Sequence, residues 1–185
     1  MTILFVLAYS FGVPADPVAL AQEVVQLVAA GKWSEAAEVT RALDLAIAAK
    51  APLRVTDAHL LKELPEGLGV YTAIQDDTVR GEEAIFYAEV HEHALKKNGS
   101  RYELYLVSDF TIIDALGKQL AKDENFGESR FTATTPHRDT FVTATLRTVG
   151  LPAGRYSVQW TIRDRIGEKA ATTTIPFMIK SSLRP

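Results

Sequence analysis

Hydrophobic and polar residues alternate along the last part of this chain. Between residues 154 and 164 every second residue is apolar, Trp160 among them, and residues 169–179 repeat the alternation. Because successive side chains of a strand point to opposite faces, each run predicts a strand with one buried and one exposed face. We therefore expect Trp160 to lie in the core, as buried aromatic side chains commonly do.

The same alternation begins near Leu53 and divides the second part of the chain into seven predicted strands. Seven short strands separated by turn-forming residues predict a mainly β protein, a seven-stranded antiparallel sandwich of the immunoglobulin-like type. Tyr156 is placed as a tyrosine-corner residue, whose hydroxyl bonds nearby backbone. The predicted strands are 53–62, 69–75, 83–93, 101–114, 139–148, 154–164 and 169–180.

A helical period precedes the strands. Asp16 and Pro17 are typical of a helix start, because Asp accepts free backbone amides and Pro suits the first turn. Apolar residues then recur at helical spacing as far as Gly31, which favours a helix end. A second helix follows and ends before Pro52. The sequence thus predicts a short N-terminal helical hairpin over residues 16–50.

The first residues of the chain form an apolar run. Residues 2–13 carry no charge and are too few to span a bilayer, which takes about 20 apolar residues. The run is similar to the apolar region of a secretory signal, although the usual basic residue is missing. The alternatives are a hydrophobic first strand or a start codon lost upstream. The chain then divides into a signal-like segment (1–15), the hairpin (16–50), the sandwich (51–180) and a tail (181–185), and we expect a periplasmic or secreted protein.

Composition excludes several classes of function. The 185 residues include no cysteine, which rules out disulfides, thiolate zinc sites and cysteine nucleophiles. The formal net charge is −3 with basic residues scattered, whereas nucleic-acid binding needs a concentrated basic face. No stable membrane span, catalytic motif or cofactor-binding residue is predicted. The expected partner is therefore an unidentified protein or another component of the cell envelope.

Turns punctuate the predicted strands. Asp114 to Gly117 and Asp164 to Gly167 share a pattern in which the Asp bonds nearby amides and the Gly takes a left-handed conformation. Residues 117–138, in contrast, are polar and weakly periodic, which predicts a long irregular loop. Long loops often carry function, so this segment is a candidate contact surface.

The sharpest chemical signal is a His-Glu-His run at the end of a predicted strand. On a strand His91 and His93 share a face with Glu89, and two imidazoles with a carboxylate could hold zinc or another divalent ion. Further ligands would have to come from His59 or His137. The simpler interpretation is an exposed polar face, opposite the apolar one, that needs no metal.

Several short motifs together resemble uncharacterised secreted bacterial proteins with an immunoglobulin-like domain. The resemblance covers about residues 65–180 and implies an exported, non-catalytic module of unknown partner; no functional residue can be transferred. The motifs are Gly69-Val-Tyr71, Val79-Arg-Gly-Glu82, Phe86-Tyr-Ala-Glu-Val90, Pro136-His-Arg-Asp139, Leu151-Pro-Ala-Gly-Arg-Tyr156, Asp164-Arg-Ile-Gly-Glu-Lys169 and Ile175-Pro-Phe177.

Three functions are compatible with these patterns. The first is a non-catalytic exported binding module that uses a sheet face, an edge strand or the 117–138 loop. The second is a metal-binding protein or metal-dependent enzyme centred on His91 and His93. The third is a structural assembly subunit in which the hairpin docks on another copy. We favour the first, because it requires only features visible in the sequence.

Overall fold

The computed structural model describes residues 16–79 and 81–180. It divides between Lys50 and Ala51 into an N-terminal and a C-terminal unit. The predicted signal-like segment 1–15 and the tail 181–185 lie outside the described residues. Within the described part of the chain, no helix combines the length and apolar character that a membrane crossing requires.

The N-terminal unit contains the two predicted helices, α1 (Pro17–Ala29) and α2 (Trp33–Lys50). A side-chain oxygen of Asp16 accepts the backbone N–H of Val18 at 3.1 Å and caps α1. Gly31 has φ +71° and lets the chain turn after α1. The hairpin buries few side chains, namely Leu20, Ala36 and Ala48.

The C-terminal unit is built of strands in two sheets. The strands are β1 (Arg54–Leu61), β2 (Thr78–Val79), β3 (Glu83–His91), β4 (Lys96–Asn98), β5 (Arg101–Asp114), β6 (Gln119–Ala133), β7 (Thr140–Arg147), β8 (Gly154–Asp164) and β9 (Lys169–Ile179). A three-stranded antiparallel sheet has the order β1-β3-β7, and a larger sheet has the order β2-β9-β8-β5-β4, with β6 on the other side of β5.

A mainly β fold with two N-terminal helices is thus confirmed, but its strand plan differs from the prediction. The described residues form nine strands rather than seven, and β2 pairs with β9 in parallel. No strand forms at 69–75, where isolated bridges join Ala73 to Leu61 and Val70 to Gly67. The long irregular loop predicted at 117–138 is wrong, because most of it is β6.

The two sheets share one hydrophobic core. The ring of Phe86 on β3 lies 6.2 Å from that of Phe110 on β5 and 5.7 Å from that of Phe177 on β9. Trp160 is fully buried beside Phe110, as predicted. The Tyr156 hydroxyl donates to the carbonyl of Pro152 at 2.7 Å, so the predicted hydroxyl-to-backbone bond is present.

Candidate functional site

The predicted His91 and His93 pair does not share a face. Strand β3 ends at His91, and Glu92 adopts φ +61°, which turns the chain out of the sheet. His93 is fully buried, whereas the alternating pattern had placed it outward. The alternation was extended two residues too far, and an L-residue in the left-handed region is rarely foreseeable from sequence.

His91 lies in a polar network on the outer side of the three-stranded sheet. Its Nε2 is 2.9 Å from Thr56 Oγ1 and 3.7 Å from a carboxylate oxygen of Glu89. Its Nδ1 is 3.2 Å from Asp139 Oδ1. Both ring nitrogens therefore have a hydrogen-bond partner, one from β1 and one from the residue that precedes β7. Among the described residues, no three His, Cys, Asp or Glu side chains are grouped so as to hold a metal.

The same network could polarise a hydroxyl. With the proton of His91 on Nδ1, facing Asp139, the free Nε2 lone pair accepts the Thr56 hydroxyl. By distance alone, Thr56, His91 and Asp139 resemble a nucleophile, a general base and the carboxylate that orients the base. The Asp139 side chain, however, is 61% exposed, so water screens its effect on the imidazole. The metal-binding hypothesis for His91, His93 and Glu89 stays a prediction.

A buried tyrosine continues this network into the sheet. Tyr87 is fully buried. Its hydroxyl accepts a hydrogen bond from the backbone N–H of Gly69 at 2.9 Å and donates one to the Glu89 carboxylate at 2.9 Å. Burial, with the neighbouring Glu89 carboxylate, raises the pKa of Tyr87 to about 12. Its ring packs between those of Tyr71 and Phe141. The segment that carries Gly69 and Tyr71 therefore covers this face of the sheet.

His93 belongs to a separate, buried polar cluster. Its Nε2 lies 3.0 Å from the carbonyl oxygen of His137, and burial lowers the pKa of its imidazole. The Nζ of Lys169 donates to the carbonyl of Glu92 at 2.9 Å, and Arg138 pairs with the Glu92 carboxylate at 3.0 Å. The cluster joins the segments after β3 and β6 to the β8–β9 turn.

The centre of this cluster is the carboxylate of Asp164, which is 1% exposed. Oδ2 accepts the backbone N–H of Ala94 at 2.7 Å, and Oδ1 accepts those of Ile166 and Gly167 at 2.9 and 3.0 Å. Because buried polar groups are stable only when paired, these three bonds make the turn a structural anchor. In this turn Glu168, and not the predicted Gly167, takes the positive φ.

Strand β6, which the alternation pattern did not reveal, is an edge of the larger sheet. It has 15 residues and, within the described chain, pairs only with β5. Phe131 lies opposite Leu104, a core residue, so both side chains point to the inner side of the sheet. The ring of Phe126 contacts Phe110. Yet Phe131 and Phe126 are 41% and 36% exposed, so the smaller sheet leaves this edge uncovered.

Strand β7 is the corresponding edge of the smaller sheet. Its eight residues pair with β3 in an unbroken register, and no other described strand pairs with them. Val142 and Ala144 are buried, while Thr143 and Thr145 are exposed. This alternation is typical of a strand whose inner side packs on the core and whose outer side faces solvent.

A second exposed apolar surface lies on the N-terminal unit. A groove along α1 and α2 is lined by side chains without formal charge. Val18 and Val25 are more than 60% exposed there, and Ile47 is 49% exposed. The lining residues are Pro17, Val18, Ala21, Gln22, Val25, Gln26, Leu43 and Ile47.

Comparison with known proteins identifies no family. No family model and no curated protein matches the chain. Solved structures with local similarity include a family 123 glycoside hydrolase from Clostridium perfringens, at 13% identity and TM-score 0.38, over 72% of this chain and 28% of that one. A Bacteroides uniformis beta-glucuronidase has 14% identity and TM-score 0.30, over 68% and 13% of the two chains.

The CooA pilin subunit from enterotoxigenic Escherichia coli has 13% identity and TM-score 0.28, over 68% of this chain and 98% of that one. The chain spans less than a third of the glycoside hydrolase's length. Similarities this weak carry no argument about activity.

Proposed function

We propose that this protein is a non-catalytic binding module of the periplasm or the cell exterior that holds an extended segment of a partner protein. The binding surface is the open flank formed by the free edges of β6 and β7. The observation that carries the proposal is the exposure of Phe126 and Phe131 on the inner side of a long strand that pairs with β5 on one edge and with no described strand on the other. Exposed strand edges readily accept another strand.

The two free edges lie on the same side of the C-terminal unit. At the opposite side β1 contacts β9, so the order β1-β3-β7 runs over the larger sheet from β9 toward β5 and β6. The short connection of residues 134–139 also leads directly from β6 to β7. A partner on this flank would therefore meet both edges together.

The chemistry of the flank favours a protein partner. The phenylalanine rings of β6 offer apolar surface, and the charges on the strand have both signs: Lys122, Asp123, Glu124, Glu128 and Arg130. A phosphate backbone would require a basic patch instead. Apolar contact combined with main-chain pairing is the recognition mode of an extended peptide.

Two further parts of the proposal concern fold class and location. The shared core of the two sheets and the Tyr156–Pro152 hydrogen bond support an immunoglobulin-like sandwich. The uncharged run of residues 2–13 supports export. The mass of the mature protein from a periplasmic extract tests export, since a retained N-terminal segment in the cytoplasmic fraction would contradict it.

The binding function is tested with a photo-crosslinking residue placed at Phe131 in the native cell envelope. A control carries the same residue at Thr174, an exposed position on β9. We expect a partner crosslinked at position 131 that binds the purified protein directly and loses that binding with Phe131→Ser. Equal crosslinking at both positions, or a purified partner indifferent to Phe131→Ser, would refute the proposal.

A second candidate function is assembly through the N-terminal hairpin. Two helices that bury only three side chains are marginal alone, and a second hairpin over the uncharged groove would complete a four-helix bundle. Sedimentation should then detect a concentration-dependent dimer that Val25→Lys abolishes. Val70→Lys, at an exposed valine of the C-terminal unit, is the matched control and should leave the dimer intact.

A further inference from the structure

The two edges of the open flank differ in how well they are protected against pairing. Natural sheets protect their edges with charges, prolines, bulges or covering segments. Strand β6 carries five charged side chains, and its ladder with β5 shifts register twice. Asn125, at φ +58°, interrupts its extended backbone. A continuous partner strand therefore fits β6 poorly.

The other outer strands are protected as well. The edge of β9 carries Pro176, and β2 pairs with its last residues. The edge of β1 is met by a returning segment, in which the N–H of Ile74 donates to the carbonyl of Leu60 at 2.8 Å and Ala73 bridges Leu61.

Strand β7 has none of these features before its last residue, Arg147. Residues 140–146 read Thr-Phe-Val-Thr-Ala-Thr-Leu, with no charge and no proline, and their register with β3 has no shift. Edge strands that are flat, uncharged and rich in β-branched residues pair most readily with another chain. Strand β7 is therefore the edge best suited to accept a strand.

A strand added to β7 would also cover the exposed rings of β6. Neighbouring strands lie about 4.8 Å apart and facing sheets about 10 Å apart. The larger sheet extends past β7 at this flank, and Phe126 and Phe131 lie on the inner side of that extension. One added strand would thus pair with the free backbone groups of β7 and would also bury both rings. A single ligand would then satisfy two separate features of the structure, an unpaired strand edge and two exposed aromatic rings.

We infer that the partner supplies a β-strand that pairs with the free edge of β7 and completes the smaller sheet beneath β6. This rests on the proposed binding function and specifies the ligand. The ligand is an extended peptide of about eight residues in which apolar side chains alternate with small, uncharged polar ones. Its apolar side faces Phe126 and Phe131, and its polar side continues the row of Thr143 and Thr145.

The probe for this inference is a nine-residue peptide that keeps Ala84, Phe86, Ala88 and Val90, the inner side of the strand that already pairs with β7, and has serine at the five other positions of Glu83–His91. A peptide of the same composition, reordered so that apolar residues no longer alternate, is the control. Binding to the full-length protein is measured by fluorescence anisotropy, and amide hydrogen exchange locates the protected backbone. We expect new protection at residues 140–147, unchanged protection of β3, and no binding of the reordered peptide.

Two further comparisons separate backbone pairing from side-chain contact. Antiparallel pairing uses the N–H groups of alternate residues, so methylating the odd or the even amides of the peptide should abolish binding in one case only. A double variant, Thr143→Lys with Thr145→Lys, should weaken binding about tenfold or more, since edge lysines oppose pairing. Thr174→Lys is the matched control and should leave the affinity unchanged.

The contrary outcomes are distinct. Protection of β6 amides without β7 would overturn the assignment to β7 and leave the flank as a binding surface. Loss of protection in β3 would mean that the peptide replaces that strand, which also overturns it. A dimer with protected β7 amides in the absence of peptide would identify a second copy as the occupant. No binding by the peptide would overturn the inference that a β-strand is the ligand, whereas the proposed binding function is refuted separately, by the crosslinking experiment at position 131.

Discussion

The carboxylate of Asp164 accepts the backbone amide of Ala94, 70 residues earlier in the chain, at 2.7 Å. Its other oxygen accepts two amides of its own turn. One buried side chain thus performs two tasks: it shapes the β8–β9 turn and it fixes the segment that follows β3. The turn at Asp114 uses the same local pattern at the surface, since Oδ1 of Asp114 accepts the N–H groups of Leu116 and Lys118, both at 2.9 Å.

We expect Asp164→Ala to lower the free energy of unfolding by about 3–5 kcal/mol, because it leaves buried amides without a partner. Asp114→Ala is the matched control and should cost about 1 kcal/mol, since water can replace the carboxylate at an exposed turn. Urea unfolding of both variants measures the difference. Equal losses would contradict the anchoring role of Asp164.

Gly167 is packed against this anchor. A Cβ at this position would lie 2.5 Å from Asp164 Oδ2 and 3.0 Å from the Cβ of Ala94. Gly167→Ala should therefore destabilise the protein by about 2 kcal/mol, because the crowded atoms have to move. Gly127→Ala, where an added Cβ meets nothing within 4 Å, is the control and should change the thermal midpoint little.

The burial of His93 makes stability depend on pH. Its folded pKa is lowered from 6.5, chiefly by burial; the nearby Arg138 charge lowers it further, while the His137 carbonyl and Asp164 oppose the shift. Below pH 6.5 the His93 imidazole binds a proton in the unfolded chain, whereas in the folded protein it stays neutral until the pH falls to its lowered pKa. The free energy of unfolding should thus fall as pH drops below about 6.5, by up to about 1.4 kcal/mol per unit.

The substitution His93→Gln should flatten this part of the stability curve, since the amide can still donate to the His137 carbonyl but does not titrate. His137→Gln keeps that carbonyl and alters an exposed side chain, so the slope should survive in this control. Urea midpoints between pH 5 and 7 give the comparison. A slope that persists in His93→Gln would assign it to another group.

Tyr87 should act in the opposite pH range. Its pKa of about 12 lies above the value of 10 expected in the unfolded chain, because burial disfavours the phenolate. Above pH 10 the unfolded chain loses the proton that the folded protein keeps, so stability should decline by about 1–2 kcal/mol toward pH 12. Tyr87→Phe should remove that part of the decline, and Tyr105→Phe, whose hydroxyl bonds Glu128 at the surface, should not.

The accuracy of sequence prediction followed how regular each strand is. Strands β5 and β8 have the predicted bounds because both are rich in β-branched and aromatic residues and each is followed by a turn signal. In β8 the alternation is also unbroken, and Trp160 marks its buried face. Strand β6 escaped detection because the positive φ of Asn125 and two register shifts break its period. The available signal was the turn before it, since a tight turn after one strand usually returns the chain as another.

The candidate site was less predictable for a related reason. Residue types indicated correctly that His91 and Glu89 lie near each other, at 3.7 Å. The partners Thr56 and Asp139 come from distant segments, and no local pattern identifies them. The open flank exists because the larger sheet has more strands than the smaller one. The number and order of strands in each sheet cannot be read from the alternation of apolar and polar residues alone.

The pairing of β2 with β9 has a consequence for how the protein is made. Thr78 of β2 pairs with Met178 of β9, 100 residues later. Strand β5 likewise pairs with β8, which follows it only after β6 and β7. Long-range contacts of this kind form slowly, because a large loop has to close first. On the ribosome the larger sheet cannot close until its last strand has emerged. The core that this sheet shares with the smaller one is therefore completed only after residues 169–179 have left the ribosome, however early the helices and the β5–β6 pair form.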